Sequence, residues 1–340
     1  MVAANDLGAG PDVVCIGSSA LDLLLVVEEL PGADGRVPAG SGMMAGGGPA
    51  ATAAVALARL GARVELVARV GDDAPGRLIR EQLAAEGVGT RWLVAGADEA
   101  RSALSSGIIR MGPPPTRSLV ALAAGPALVL DDLPADAIAA CRSARWLHVD
   151  HAGWPLVAGL RREGVDTPVA VDGGNPLDGF DPALAQLYVP SLAELRRWTG
   201  AVEPDAALGR ALDAGAAVVV ATQGHEGARY QGRLDPDRAW PAGGVTRDLD
   251  SGASPWRLEV PACPVEVRST LGAGDVYHGA LLAALIRGST IRVAMLEAAV
   301  ASALSCRAID GRSAIPDRSE LEAALDAWSP EPTLAWRSDA

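Results

Sequence analysis

Apolar residues fall in short runs broken by Gly, Pro and Asp, and their spacing changes along the chain. Val13-Val14-Cys15-Ile16-Gly17 is a continuous run ending on Gly, the pattern of a short buried strand. Leu21 to Val27 predicts a second strand before the turn Pro31-Gly32-Ala33-Asp34-Gly35, and Gly40 to Gly48 is glycine-dense. Ala50 to Leu60 is rich in strong helix formers and stops at Gly61, a residue suited to ending a helix. Val64 to Val70 predicts a strand, and Ala74 to Glu86 a helix closed by Gly87. Residues 101–122 break this rhythm. Two strand-like runs, 101–109 and 118–122, flank Pro113-Pro114-Pro115, so a hairpin with a stiff loop is expected among strand–helix units. Strands at 145–149, 168–172, 186–189 and 217–221 then alternate with helices over 131–142, 155–163, 192–199 and 205–213. Such alternation predicts a three-layer α/β/α arrangement on a mostly parallel sheet. Residues 225–262 predict antiparallel strands and loops. Helices follow over 273–287, 290–306 and 318–327. One domain over 12–328 is expected, with irregular ends at 1–11 and 329–340.

Composition adds exclusions. The 340 residues can bury a large core, and 49% hydrophobic with 21% charged residues is ordinary for a globular chain. The formal charge is 29 − 42 = −13, and every one of the 29 cationic residues is Arg. Without Lys there is no Walker-type phosphate loop and no Schiff-base chemistry. An acidic chain also lacks the electrostatic footprint of a nucleic-acid binder. No run of about 18 apolar residues predicts a membrane span. Cys15, Cys141, Cys263 and Cys306 form no C-x-x-C pair, so neither zinc nor a disulfide framework is suggested. The start lacks a positive segment followed by an apolar run, so no signal peptide is expected. A soluble cytoplasmic protein with free thiols follows.

The chemistry concentrates at Ser269-Thr270-Leu271-Gly272-Ala273-Gly274-Asp275-Val276-Tyr277-His278-Gly279. Small residues precede a long apolar helix. The first N–H groups of a helix have no intrahelical partner, and its dipole places partial positive charge there. This is an anion site made without lysine. Asp275 falls in the first helical turn, where a carboxylate beside a bound phosphate has a natural task as general base.

This segment resembles the C-terminal signature of the ribokinase-like (PfkB-type) carbohydrate kinases, D-T-x-G-A-G-D. The N-terminal signature is resembled by Gly46-Gly47-Gly48-Pro49-Ala50-Ala51-Thr52-Ala53-Ala54, Ala58-Arg59-Leu60-Gly61 and Val70-Gly71-Asp72-Asp73-Ala74-Pro75-Gly76. Thr222-Gln223-Gly224-His225-Glu226-Gly227 and the stretch from Cys306 through Gly311-Arg312 to Ile315-Pro316 extend the likeness to about residues 12–325. In motif detail the chain looks most like sulfofructose kinases.

The resemblance implies a ribokinase-like fold whose two strand-rich segments, 18–45 and 101–122, form a small β-sheet lid that can pair into a homodimer. It implies transfer of the γ-phosphate of MgATP to a sugar hydroxyl. Asp275 would be the catalytic base, and Gly272, Ala273 and Gly274 the anion hole. Asp22, Gly46, Gly47 and Thr52 would line the sugar pocket. His151 follows the strand at 145–149, at the end where α/β ligands bind, and is a further substrate candidate. Ser191, Thr222, Gly224 and Gly227 fall to the nucleotide. His278, one turn past Asp275, faces either nucleotide or a core neighbour. Glu194 would order water around Mg²⁺. Three departures stand out: Ser191 and Thr52 each replace an Asn, and Ser269 replaces the Asp that opens the C-terminal signature. The last puts potassium activation in doubt.

An anionic sugar would need Arg, whose fork suits sulfonate or phosphate. Arg101, Arg110 and Arg117 on the hairpin are candidates; a neutral ketose, a ketodeoxy acid or a nucleoside is also open. A catalytically weak sugar- or nucleotide-binding sensor is the reading from another class. An NAD-dependent Rossmann enzyme is excluded, because Gly17-Ser18-Ser19-Ala20-Leu21-Asp22 lacks G-x-G-x-x-G.

Overall fold

The computed structural model describes residues 10–95, 101–111, 116–122, 127–241, 254–328, 330, 336 and 337. In chain order the strands are β1 (Val13–Ile16), β2 (Ala20–Val27), β3 (Ser41–Gly47), β4 (Val64–Arg69), β5 (Gly89–Val94), β6 (Ala103–Arg110), β7 (Thr116–Leu122), β8 (Trp146–Val149), β9 (Val169–Gly173), β10 (Leu187–Pro190), β11 (Val218–Thr222), β12 (Ala228–Gly232), β13 (Trp256–Val260) and β14 (Trp336–Arg337). The helices are α1 (Pro49–Arg59), α2 (Ala74–Ala85), α3 (Ala135–Ser143), α4 (Val157–Arg162), α5 (Leu192–Thr199), α6 (Pro204–Asp213), α7 (Ala273–Ile286), α8 (Ile291–Ser305) and α9 (Arg318–Ala327).

Ten strands make the main sheet, in the order β14-β13-β12-β11-β10-β9-β8-β1-β4-β5. From β11 to β5 every pairing is parallel, and β12, β13 and β14 add an antiparallel edge. Parallel strands need both faces covered, which is why these segments read as unbroken apolar runs. The period of two shows in β1: Val13 and Cys15 pack with α1, α7 and α8, whereas Val14 and Ile16 pack with α3, α4 and α6. Helices therefore cover both faces, and the expected three layers are present.

α7 is buried from Val276 to Ile286. A helix apolar all round belongs in the core, and α7 lies against α1 and α8. A Cβ on Gly279 would stand 2.5 Å from the Ala53 carbonyl oxygen, so glycine sets the approach of α7 to α1.

The second sheet has the order β3-β2-β6-β7. Its hairpin, β6 with β7, matches the expected one; the Pro113–Pro115 loop lies outside the described residues. β2 and β6 pair in parallel with Asp22 opposite Ser105, and β2 and β3 pair antiparallel with Asp22 opposite Ala45. One face of this sheet carries Leu24, Ala45 and Ile109 against Leu271 and Ile309. The other carries the cross-strand row Met44, Leu23, Ser106 and Val120, whose three apolar members are exposed.

Three strands were not anticipated. β3 hides in the glycine-dense stretch because its glycines answer to close neighbours rather than to a turn. β5 is an edge strand with only Trp92 and Leu93 buried, too little pattern to read. β14 pairs with Trp256 and Arg257, correcting the expected irregular tail at those two residues. The helices expected at 131 and 155 begin later, at Ala135 and Val157, each preceded by a 3₁₀ turn.

Candidate active site

The parallel strands end on one side of the sheet, and α7 starts there. Asp150, just past β8, is fully buried and gathers five donors. Its carboxylate accepts from the N–H and hydroxyl of Ser18 at 2.9 and 2.5 Å, and from the N–H groups of Ala50, Ala152 and Gly153 at 3.1, 2.8 and 3.1 Å. It thereby ties the end of β1 to the start of α1.

Gly272 precedes α7 with φ of 73°, the left-handed region that favours glycine. A Cβ there would also stand 2.8 Å from the Cα of Gly311. No side chain caps α7, and of its first N–H groups that of Ala273 makes only a long bond, 3.4 Å, to the Thr270 carbonyl. Asp275 is half-buried in the first turn. Burial, with Asp172 and Asp150 acting in the same sense, pushes its carboxyl up to about 8; His278 and Arg312 oppose the shift. A carboxylate held near neutrality suits a general base.

On one side of Asp275 lies a polar floor. Asp22 is buried and accepts from the Ser105 hydroxyl at 2.5 Å. Burial raises its pKa, against the pull of Ser105 and Arg312. Arg312 is buried; its Nε donates to Thr52 Oγ1 at 3.2 Å and its Nη2 to the Gly47 carbonyl at 2.7 Å. Burial lowers its pKa to about 10, against Asp22, Asp275, Glu86 and Asp310, so the guanidinium stays charged at neutral pH. The glycine pair makes room for these groups: a Cβ on Gly46 would meet Arg312 Nη1 at 2.0 Å, and one on Gly47 would meet Asp22 Oδ2 at 2.3 Å. Asp310 Oδ2 accepts from the backbone N–H groups of Arg312 and Ser313 at 3.2 and 2.9 Å, fixing the turn that presents Arg312.

On the other side is a cavity of about 440 Å³ lined by Thr222, Gly224, Gly227, Cys263, Ala273, Gly274, Tyr277 and Ser302, among others. Of the nucleotide candidates, Thr222, Gly224 and Gly227 line it, and Ala273 and Gly274 form its border with the helix start. A Cβ on Gly227 would fall 2.1 Å from the Val260 carbonyl oxygen.

Four candidates sit elsewhere. Ser191 bridges to Thr222, but its hydroxyl caps α5, accepting from the Glu194 N–H at 3.2 Å. Glu194 pairs with Arg197, whose Nε donates to it at 2.8 Å. His151 is exposed beyond β8. His278 does not line the cavity: it is buried, with Nδ1 at 3.2 Å from Asp172 Oδ2. Its side chain leaves α7 toward the sheet, so of its two expected settings the structure selects the core. Of the hairpin arginines, Arg110 donates to Thr116 at 3.1 Å and Arg117 to Thr270 at 2.7 Å, while Arg101 is exposed. Ser269, at the position of the family Asp, accepts from the Leu271 N–H at 3.1 Å.

The family model of the pfkB family carbohydrate kinases matches residues 11–107 and 180–318. The chain belongs to this family. It is a carbohydrate kinase, a phosphotransferase with an alcohol acceptor. It is 26% identical to the ribokinase of Bacillus subtilis, over 92% of this chain and 99% of that one. The fructokinase of Klebsiella pneumoniae is 27% identical, over 88% and 96%. The fold matches the structure of Arabidopsis thaliana ribokinase complexed with ribose and ATP, with a TM-score of 0.73 at 20% identity, covering 94% of this chain and all of that one.

Sequence reasoning about this kinase missed Arg312, Asp310, Asp150, Asp172 and Ser105. A signal existed for Asp172, since Val171-Asp172-Gly173-Gly174 closes a predicted strand at the ligand end of the sheet. Arg312 stands in the sequence only as part of the Gly311-Arg312 to Ile315-Pro316 likeness; that it is the arginine set against Thr52 needs the fold.

Proposed function

We propose that this kinase transfers the γ-phosphoryl group of ATP to a sugar hydroxyl, with Asp275 as general base. The observation that carries the reading is the position of Asp275, in the first turn of α7 between the cavity and the polar floor. Asp275 would take the proton of the attacking hydroxyl. The N–H groups of Gly272, Ala273 and Gly274 would hold the transferring phosphoryl, where backbone donors need no reorganisation. Asp22, with Gly46, Gly47 and Thr52 around it, would hold the sugar. Thr222, Gly224 and Gly227, which line the cavity beyond the helix start, would border the nucleotide.

Mg²⁺ fits as an ion carried by the nucleotide, where it would supply charge neutralisation on the phosphates. Glu194 would order its water through Oε1, since the contacts from Arg197 fall on Oε2. The small sheet would be a lid that excludes water. Its exposed row of Met44, Leu23 and Val120 is the surface on which two copies would pair in the cytoplasm.

The acceptor we favour is a ketose or sugar acid, sulfofructose included, because the polar floor holds a buried permanent cation in Arg312. The test is ADP release with ribose, fructose, sulfofructose, a ketodeoxy acid and nucleosides, alongside melting shifts with a non-hydrolysable ATP analogue. Turnover with a sugar and its loss in Asp275→Asn is the expected result. Nucleotide binding without turnover on any acceptor would establish a sensor instead, and turnover on nucleosides alone would overturn the sugar assignment.

A further inference from the structure

One group of buried side chains takes no part in the proposed transfer. His148 lies on β8, Asp172 on β9 and His278 on α7, and all three are buried. β8 and β9 pair in parallel with His148 opposite Ala170, and the period of two puts Asp172 on the same face as Ala170. That is the face α7 covers, since Ala170 packs in one core with Val276 and Ala280. One nitrogen of each ring and one carboxylate oxygen all lie within 4.8 Å of one another.

These atoms are poorly served by the protein. His278 Nδ1 stands 3.2 Å from Asp172 Oδ2 without making a hydrogen bond to it, and His148 Nε2 has no partner either. A buried polar atom left without a partner costs about 1–3 kcal/mol. Asp172 Oδ1 accepts from the Gly174 N–H at 2.7 Å, which leaves Oδ2 to the histidines. Among the described residues no arginine reaches this carboxylate, although a buried charge needs a counter-charge. A proton on His278 would answer Asp172 and still leave His148 Nε2 orphaned. One metal ion answers all three.

We propose that His148, Asp172 and His278 bind one divalent transition-metal ion, of the Zn²⁺ class, that pins α7 to β8 and β9. Imidazole nitrogen and carboxylate oxygen are ordinary ligands of such ions, two His and one carboxylate being a recurrent set. Mg²⁺ is a poor occupant, because it takes oxygen ligands and sheds water reluctantly. The ion is therefore distinct from the one ATP would carry. Ligands about 2.0–2.2 Å from Zn²⁺ stand about 3.3–3.6 Å apart at a tetrahedral centre. The edge from His278 to Asp172 is already at that spacing. The edges to His148, within 4.8 Å, have to close by at most about 1.5 Å. Its ring already stands edge to face with that of His278, centroids 5.8 Å apart. The bond from Gly174 orients the carboxylate, as an outer-shell partner does. Three protein ligands leave a fourth position that water would fill. Burial of all three marks the ion as resident rather than exchanged at each turnover. The site stands whether or not Asp275 is the base, and its test reads metal rather than activity.

The experiment is elemental analysis of the full-length enzyme, purified without a polyhistidine tag and dialysed against Mg²⁺. Calorimetric titration of chelator-stripped enzyme with Zn²⁺ follows. About one transition-metal ion per chain is expected with no nucleotide present, and Zn²⁺ should return to the stripped enzyme and raise its melting temperature. His148→Ala and His278→Ala should each lose the ion, with affinity falling by more than the about 10–100-fold that an outer-shell change costs. The double variant His151→Ala/His225→Ala and Cys263→Ser should keep it; these remove the exposed histidines and the least buried thiol, where stray Zn²⁺ would bind. Nitrogen NMR of the wild type needs no variant to fold: Zn²⁺ should move the ring signals of His148 and His278 and leave those of His151 and His225. A stripped enzyme that takes up Zn²⁺ only at millimolar concentration overturns the proposal. So does an ion that survives His148→Ala or His278→Ala, or a shift confined to the exposed histidines.

Discussion

The two sides of Asp275 solve the problem of holding charge differently. The cavity side is made of small residues, backbone and apolar surface: Gly224, Gly227, Ala273, Gly274 and Tyr277. The polar floor is made of charged side chains held by neutral groups and backbone: Asp22 by the Ser105 hydroxyl, Arg312 by Thr52 and the Gly47 carbonyl, and Asp310 by the backbone N–H of Arg312. Phosphate is a large spread charge that N–H groups and a helix dipole can meet without a side chain. Sugar hydroxyls are neutral and need fixed acceptors, which stay fixed in low dielectric only when a counter-charge balances them. A chain without lysine can therefore handle ATP, provided that backbone does the work on one side and arginine balances the other.

Breaking the centre should cost most. Asp275→Asn should lower kcat by about 10²–10⁴-fold with nucleotide affinity kept, measured by steady-state kinetics and calorimetric titration. The same variant should change stability in the opposite sense. The folded pKa of about 8 lies above the ordinary 3.8. Proton binding by Asp275 therefore favours the fold, fully below the unfolded value, and that benefit is lost as pH rises through about 8. The wild-type melting temperature should fall between pH 6 and 9, and the variant should be less pH-dependent and melt a few degrees higher at pH 9.

The floor should be the next most sensitive. Arg312→Met leaves Asp22 and Asp310 without their buried cation, a change of the kind that costs about 3 kcal/mol. Urea unfolding should show it, together with a raised KM for the acceptor. If stability falls while the acceptor KM is unmoved, Arg312 supports the fold and not the sugar. On the cavity side, Gly272→Ala must hold a Cβ at positive φ, about 1–2 kcal/mol, and press it against Gly311. We expect at least a tenfold loss of kcat, because the strained backbone is the proposed phosphate cradle. The smallest effect should come from Ser191→Ala, which removes the α5 cap for about 1 kcal/mol. Its melting temperature should drop slightly with the KM for ATP near wild type; a KM raised tenfold would return Ser191 to the nucleotide site.

The parts that could be read in advance are local. A helix start such as Gly272-Ala273-Gly274-Asp275 is specified within one turn, by residues adjacent in the chain. The strand–helix alternation was readable because burial on both faces leaves continuous apolar runs. β3 escaped for the converse reason. Gly46 and Gly47 look like loop residues, and only Arg312 and Asp22 explain why they lie in a strand. The bond from Arg312 to Thr52 spans 260 residues, and no spacing rule reaches that far.

By itself, the sequence determined the layer architecture, the glycine-led start of α7, and the restriction of permanent positive charge to arginine. Each is a property of composition or of a few consecutive residues. Only the tertiary structure decided which arginine is buried against Thr52 and Gly47, and that His278 turns toward Asp172. Those choices depend on which strand ends lie side by side in the sheet, and charge interacts across space rather than along the chain.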